Sequence, residues 1–304
     1  MQLSAGICLA SSLPAVSCSA EAMNALDIRK LEINIGLEKP FRALHVSDSH
    51  FCFADERENE RKRKLAASRA RYFGNSEEKF DAHLAYAQKN DLLFLHTGDL
   101  IDFVSELNLE KVHEKFQGKA VFLSSGNHEF SQYVGEAKED AAYKAQSYAW
   151  VQSAFPNDLT FCSRTINGVN FVAVDDVYYD FTPAQLKLFK KEVEKGLPIV
   201  MLCHCPLYTP ELFESRMNQR DAHCAYLTGV PESLMEKYAP HRRDQQKPNA
   251  ATLEFMAWLK EQPLVKAILC GHIHDFWSGP FSQYTMQYSV GAGYQGKAYE
   301  ITFS

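Results

Sequence analysis

The sequence predicts an α/β fold in one domain, with a mixed sheet layered between helices. Short apolar runs alternate with helix-length amphipathic segments along most of the chain. Two pairs of neighbouring strand candidates look like hairpins, which makes the sheet mixed rather than purely parallel. Neither a repeat nor an interdomain linker divides the 304 residues. With 46% hydrophobic and 23% charged residues, the chain has the balance of a globular protein with a substantial core.

The expected organisation is a poorly ordered segment over 1–24 and a single domain over 25–304, carrying an irregular insertion at about 208–248. Residues 1–24 are rich in Ala, Ser and Cys, but no Lys or Arg precedes the apolar run Ala5–Ala10, and Ser11, Ser12 and Pro14 follow it. A secretory leader and a lipid-attachment site are therefore not expected, and the chain reads as cytoplasmic. No segment is apolar enough to span a bilayer. Eight irregularly spaced cysteines do not form a disulfide framework; Cys203, Cys205 and Cys270 read as small apolar fillers beside a site. The net charge of −6 gives no general affinity for nucleic acid or anionic membrane, so a small anionic substrate would need a local positive centre.

In chain order, Leu31–Gly36 and Arg42–Ser47 read as a hairpin across Leu37–Pro40. The charged stretch Asp55–Arg71 reads as a solvated helix, with Glu58 and Lys62, and Glu60 and Lys64, at favourable i, i+4 spacing. Lys79–Lys89 is helical, with Phe80, Leu84 and Ala87 on one side, and Asp91–Thr97 is a strand. A helix over Leu107–Phe116 and a strand over Lys119–Ser124 follow, then a helix over 136–155. Leu159–Ile166 and Val169–Val174 flank Asn167-Gly168, the signature of a two-residue hairpin. Thr182-Pro183-Ala184-Gln185 starts a helix with a capping box, and Gly196 with Pro198 closes it. Leu197–Leu202 is a strand, while Tyr208–Pro248 shows no clear periodicity. Asn249 caps a helix over Ala250–Gln262, Val265–Leu269 is a strand, and two further strands surround Gly291–Gly296.

Five of the apolar runs end in polar clusters: Asp48 and His50, Asp99, Asn127 and His128, His204, then His272 and His274. In open α/β sheets such strand ends converge on one crevice although their residues lie far apart in sequence. Leaving His128 aside, two Asp, one Asn and four His give mixed oxygen and nitrogen donors without thiolate, which suits Mn, Fe, Zn or Ni better than Ca or Mg. Seven donors exceed one tetrahedral site and suit two ions sharing a carboxylate, the arrangement used for in-line phosphoryl displacement.

The series Asp48-x-His50, Gly98-Asp99-x-x-Asp102, Gly126-Asn127-His128-Glu129, His204 and Gly271-His272-x-His274 resembles the calcineurin-like metallophosphoesterase superfamily from about residue 42 to the end. The resemblance implies a four-layer αββα sandwich with two mixed sheets. It implies that Asp48, His50 and His274 hold one transition-metal ion, that Asp99 bridges, and that Asn127, His204 and His272 hold a second, with Mn, Fe or Zn as the divalent or trivalent ions. It also gives His128 the substrate phosphate and the leaving oxygen, and Glu129 the orientation of that histidine or its loop; Asp102 would stand behind them or cap a helix. Two divalent ions against Asp48, Asp99 and a bridging hydroxide leave a local excess of about +1, which would draw an anionic phosphoryl group.

The function implied is hydrolysis of a phosphate ester, of a small molecule or nucleotide, by in-line attack of a metal-bridging hydroxide. The arginines that clamp phosphate in protein Ser/Thr phosphatases are replaced here by Phe103 and Ser125, and Glu129-Phe130-Ser131 departs from the nucleotidase pattern. What remains is most similar to the broad bacterial set that includes class III cyclic-nucleotide phosphodiesterases, so a diester is favoured over a monoester. Specificity is expected in Tyr208–Pro248 and the loop after Glu129, with Arg216, Arg220, His223, His241, Arg242 and Arg243 as candidate contacts. His45, His83, His96 and His113 read as structural, and Asp175 and Asp176 as turn residues. A nuclease using the basic residues between Arg57 and Arg71, and a non-catalytic scaffold, are the alternatives; long nucleic acid and membrane are not expected partners.

Overall fold

The computed structural model describes residues 20–134 and 141–304. The strands are β1 (Asp27–Ile33), β2 (Phe41–Val46), β3 (Leu93–Thr97), β4 (Val121–Ser124), β5 (Phe161–Ile166), β6 (Val169–Val174), β7 (Ile199–Leu202), β8 (Val265–Cys270), β9 (Trp277–Pro280), β10 (Met286–Ser289) and β11 (Lys297–Phe303). They form two sheets, one ordered β1-β11-β2-β3-β4 and the other β5-β6-β7-β8-β10-β9. Both are mixed: β2, β3 and β4 run parallel while β11 opposes β2, and β6, β7, β8 and β10 run parallel while β5 and β9 oppose their neighbours.

The helices are α1 (Ala20–Asn24), α2 (Glu60–Phe73), α3 (Ser76–Lys89), α4 (Glu106–Phe116), α5 (Ala141–Ala154), α6 (Pro183–Val193), α7 (Pro210–Met217), α8 (Pro240–Gln246) and α9 (Ala250–Lys260). Strand alternation sorts the core into layers. Leu44, Val46, Phe94, Val121 and Leu123 pack outwards on α3, α4 and α5. Their strand neighbours Ala43, Leu95 and Phe122 point inwards against Phe171, Ala173, Val200, Leu202, Ala267 and Leu269 of the other sheet. Val172, Val174, Met201 and Ile268 then face α6 and α9. The result is the four-layer αββα sandwich.

Local chemistry sets several element ends. Thr182 and Gln185 make both halves of the capping box, and Asn249 accepts from the Thr252 amide. Asn167 and Gly168 both take positive φ, as a type I′ hairpin turn requires. Other expectations change. Leu31–Gly36 and Arg42–Ser47 do not pair: β11 lies between β1 and β2, parallel to the first and antiparallel to the second. Three strands, not two, follow β8, because the four-residue β9 forms the sheet edge. Tyr208–Pro248 holds the short helices α7 and α8 and a 3₁₀ turn over Glu232–Lys237, gathered on a satellite core that includes Leu212, Phe213, Leu227, Met235 and Tyr238.

The expected helix over 136–155 is seen as α5, its first five positions lying outside the described residues, as does the expected loose segment up to residue 19. Among the described residues, no helix is long and apolar enough to cross a membrane. Cys203, Cys205 and Cys270 are buried.

Candidate metal centre

Every one of the expected donors lies just beyond the carboxyl end of a strand. Asp48, Asp99, His204 and His272 each stand two residues past the last residue of β2, β3, β7 and β8. At that distance the chain leaves the sheet through left-handed backbone: φ is 54° at Asp48, 50° at His50, 55° at Asp99, 66° at His272 and 58° at His274. This region is sparsely populated for residues with a side chain, so the surrounding structure must hold it. It does so through the amides of Asp48 and His50, which donate to the carbonyls of Gly98 and Asp99 at 2.9 Å each. Two glycines permit the crowding: a Cβ on Gly126 would collide with Asp99, and one on Gly271 with Ser47 and Asp48.

Three groups of potential ligands with their atoms within 4.8 Å of one another result among the described residues: two consist of expected donors, Asp48, His50 and His274, and Asp99, His204 and His272, and the third is His50, Asp102 and His128. His274 Nε2 lies 3.2 Å from Asp48 Oδ1 and 3.3 Å from His50 Nε2. His204 Nε2 lies 3.1 Å from Asp99 Oδ2 and 3.1 Å from His272 Nδ1. Asp99 Oδ2 is also 3.8 Å from His50 Nε2, so this carboxylate stands between the groups. Asn127, beyond β4, is buried with its Oδ1 lacking a protein partner, and the neighbouring His128 amide donates to Asp99 Oδ1 at 2.9 Å.

Outer contacts aim the imidazoles. His50 Nδ1 faces Asp102 Oδ1 at 3.1 Å and His204 Nδ1 faces the Thr97 carbonyl at 2.6 Å, so both Nδ1 atoms carry a proton and both Nε2 atoms point inward. The Tyr179 hydroxyl meets His272 Nε2 at 2.9 Å, which leaves Nδ1 for the centre. Converging imidazole nitrogens, two buried carboxylates and an orphaned amide oxygen are a donor set that fits cations and is poorly satisfied without them.

The electrostatics agree. Burial opposes ionisation of Asp99, yet the nearby His204 and His128 hold its carboxyl well below the usual range. Burial likewise opposes charge on His204, but Asp99 raises it to about 10. His272 is driven well below its ordinary value by burial and by His204. The pocket thus stabilises positive charge at its carboxylates, which is the role a bound cation takes over.

His128 sits at the rim, its Nδ1 2.8 Å from the Asp102 carbonyl and 3.2 Å from Asp102 Oδ1, and its Nε2 3.9 Å from Asp99 Oδ2. Burial works against its charged form, but Asp99 and Asp102 lift it to about 10. Glu129 is fully buried and does not face the rim. Its carboxylate accepts from the amides of Gly126 (2.6 Å), Asp99 (2.8 Å) and Leu100 (2.6 Å), clamping the loops after β3 and β4 together. Burial and then Asp99 raise it to about 7.

Three contributors escape the sequence reading: Arg69, Phe73 and Asp176. Asp102 joins His50 and His128 and is gripped from outside by Arg69, whose Nε and Nη2 donate to it at 2.6 and 2.9 Å. Arg69 belongs to the charged helix α2, where it looked like one more solvated cation. Phe73, at the end of that helix, stacks on His50 with ring centroids 4.3 Å apart. Asp176, read as a turn residue, accepts from the His204 amide at 3.0 Å, the Cys205 amide at 3.1 Å and the Thr228 hydroxyl at 3.1 Å. It stands two residues past β6, the same offset that marks the donors, and that offset was the available signal.

Of the expected specificity residues, Arg216 is paired with Asp275 and Arg243 donates to the carbonyls of Tyr238 and Glu236. Arg220 is exposed beside Asp221, and His223 and His241 lie with ring centroids 6.0 Å apart. Arg242 lies 5.3 Å over the Tyr226 ring, itself 5.7 Å from His272.

A layered α/β chain with such a carboxylate–imidazole cleft at its strand ends has the architecture of a metal-binding hydrolase. The sequence model of the calcineurin-like phosphoesterases matches residues 41–276, and the chain belongs to that family. It is therefore a metal-dependent phosphoesterase. No curated protein sequence matches it. Among solved structures it is similar to a dimetal phosphatase from Danio rerio, at 13% identity over 84% of this chain and 88% of that one, with a TM-score of 0.48. A 5′-nucleotidase from Candida albicans matches at 14% identity over 88% of this chain but 47% of its own, with a TM-score of 0.41. The phosphopantetheinyl hydrolase of Mycobacterium tuberculosis matches at 11% identity over 88% and 92%, with a TM-score of 0.40.

Proposed function

We propose that this protein hydrolyses a small phosphorylated substrate, with a diester favoured over a monoester, at a centre built for two transition-metal ions such as Mn, Fe or Zn. The observation that carries this reading is Asp99, a buried carboxylate lying between two separate groups of donors. Asp48, His50 and His274 would hold one ion, and Asn127, His204 and His272 the other, with Asp99 shared. When bound, the ions would supply Lewis-acid polarisation of the phosphoryl group and a nucleophile at neutral pH.

The chain's own residues do the rest. Asp102, fixed by Arg69, keeps His128 Nδ1 engaged and its Nε2 turned to the rim, where the protonated ring donates to the departing oxygen. Glu129 acts through the backbone, keeping Asp99 and the Asn127–His128 turn in register. Arg57, Lys64 and Arg69 are engaged by acidic partners and Lys62 by the Val104 carbonyl, which disfavours the nuclease reading.

The test is phosphate or alcohol release from bis- and mono-nitrophenyl phosphate by Mn²⁺-loaded protein and its His128→Ala variant. Turnover in the variant is expected to fall by about 10²–10⁴-fold with metal content unchanged. Metal loss in the variant, or wild-type protein inert on both esters, would overturn the assignment of roles.

A further inference from the structure

We propose that Tyr72 and Tyr294 form an aromatic wall that selects substrates carrying a flat ring, such as a nucleobase, on the phosphoryl group. The inference rests on the phosphoesterase reading and names a specificity surface for the same centre.

Tyr72 is 68% exposed, well beyond the next large hydrophobic among the described residues, Leu253 at 46%. Exposure alone is ordinary for a single side chain. Its setting is what distinguishes it. The Tyr294 ring stands 5.5 Å from that of His274 and 5.9 Å from that of His50, edge-on to both. Tyr72 lies 6.4 Å further out, tilted by 43°, so an unbroken line of rings leads from the donors to solvent.

The base of this line is fixed. Phe73 packs edge-on to Tyr294 at 4.7 Å and to Tyr72 at 4.9 Å while stacking on His50. Arg69, one turn earlier in α2, is locked to Asp102. The wall also lies on an open side of the cleft, beside the partly exposed His274. The His274 side chain keeps 34% exposure, whereas His204 is fully buried. A phosphoryl group at the donors would therefore direct its ester substituent along Tyr294 towards Tyr72. Stacking on such rings tolerates any planar group, because every base presents a π face, and neither ring needs a specific hydrogen bond to contribute.

The test compares two hydrolysis-resistant ligands by isothermal titration: an acyclic adenine phosphonate and the same phosphonate lacking the base. The proteins are the Mn²⁺-loaded full chain and its Tyr72→Ala and Tyr72→Phe variants, with circular dichroism to verify folding. Wild type is expected to bind the adenine compound roughly 5- to 100-fold more tightly, Tyr72→Ala to bring the two within about twofold, and Tyr72→Phe to keep the preference. Absence of any preference in wild type, absence of binding, or a preference that survives in Tyr72→Ala would overturn the wall. Because neither phosphonate is turned over, a protein that shows the preference yet releases neither alcohol nor phosphate from any ester would support the wall while refuting the catalytic reading.

Discussion

The five-stranded sheet sends Asp48, Asp99 and Asn127 to the cleft together with His50, whereas the six-stranded sheet sends imidazoles alone, His204, His272 and His274. Neither set is a site by itself. The two groups made of expected donors each take members from both sheets: His274 completes the pair Asp48 and His50, and Asp99 completes the pair His204 and His272, whereas His50, Asp102 and His128 all follow strands of the first sheet. The supports differ in the same way. On the first sheet Glu129 and Asp102 clamp the loops with buried carboxylates reinforced by Arg69, and on the second a single carboxylate, Asp176, holds the His204 turn. The geometry of these donor groups is thus a property of how two sheets are docked, more than of either alone.

The strongest way to break that view is to loosen the docking without touching a donor. Phe171 of β6 is fully buried and packs edge-on against Phe41, Phe122 and Phe303 of the opposite sheet. Phe171→Ala is expected to lower stability by about 3–5 kcal/mol in urea unfolding, and metal affinity should drop with it. If affinity stays at the wild-type level in the folded variant, the donors are aligned by their loops and not by the sheets.

A smaller effect is expected at Asp176. Asp176→Ala removes the acceptor of the His204 and Cys205 amides and of the Thr228 hydroxyl, so the His204 turn loosens. Affinity for one of two ions should fall by about 10- to 100-fold, with the other retained, as read by stepwise metal titration. Equal loss of both ions would mean that the two supports are not independent.

The smallest effect tests acid sensitivity on the first sheet's side. His83 of α3 is buried, and desolvation lowers it from 6.5 to about 4. The unfolded chain takes up this proton as pH falls below 6.5, whereas the folded chain resists until about 4. Stability from the neutral ring is therefore complete above 6.5 and is lost as pH falls through that window. His83→Phe should flatten this part of the stability–pH curve in denaturant titrations; an unchanged slope would show that other groups dominate it.

Much of this was legible in sequence because the signals are local. A strand followed after two residues by Asp or His is readable at Asp48, Asp99, His204 and His272, and the capping box at Thr182 is readable from four residues. What escaped depends on distant chain. Nothing near β1 or β2 announces that the final strand will part them. Arg69 looks like a surface cation until Asp102, 33 positions away, is placed beneath it. α7 and α8, eight and seven residues long, are too short for an apolar period to stand out, and the four-residue β9 contains Gly279 and Pro280.

The left-handed turns at five donors carry an evolutionary consequence. At each of them glycine would relax the backbone, so selection for heat resistance alone would favour erasing the very side chains that give the cleft its chemistry. A lineage drifting away from catalysis would be expected to gain thermal robustness first at these positions, most easily at a partly exposed one such as His274, whose side chain keeps 34% exposure against 2% at His50.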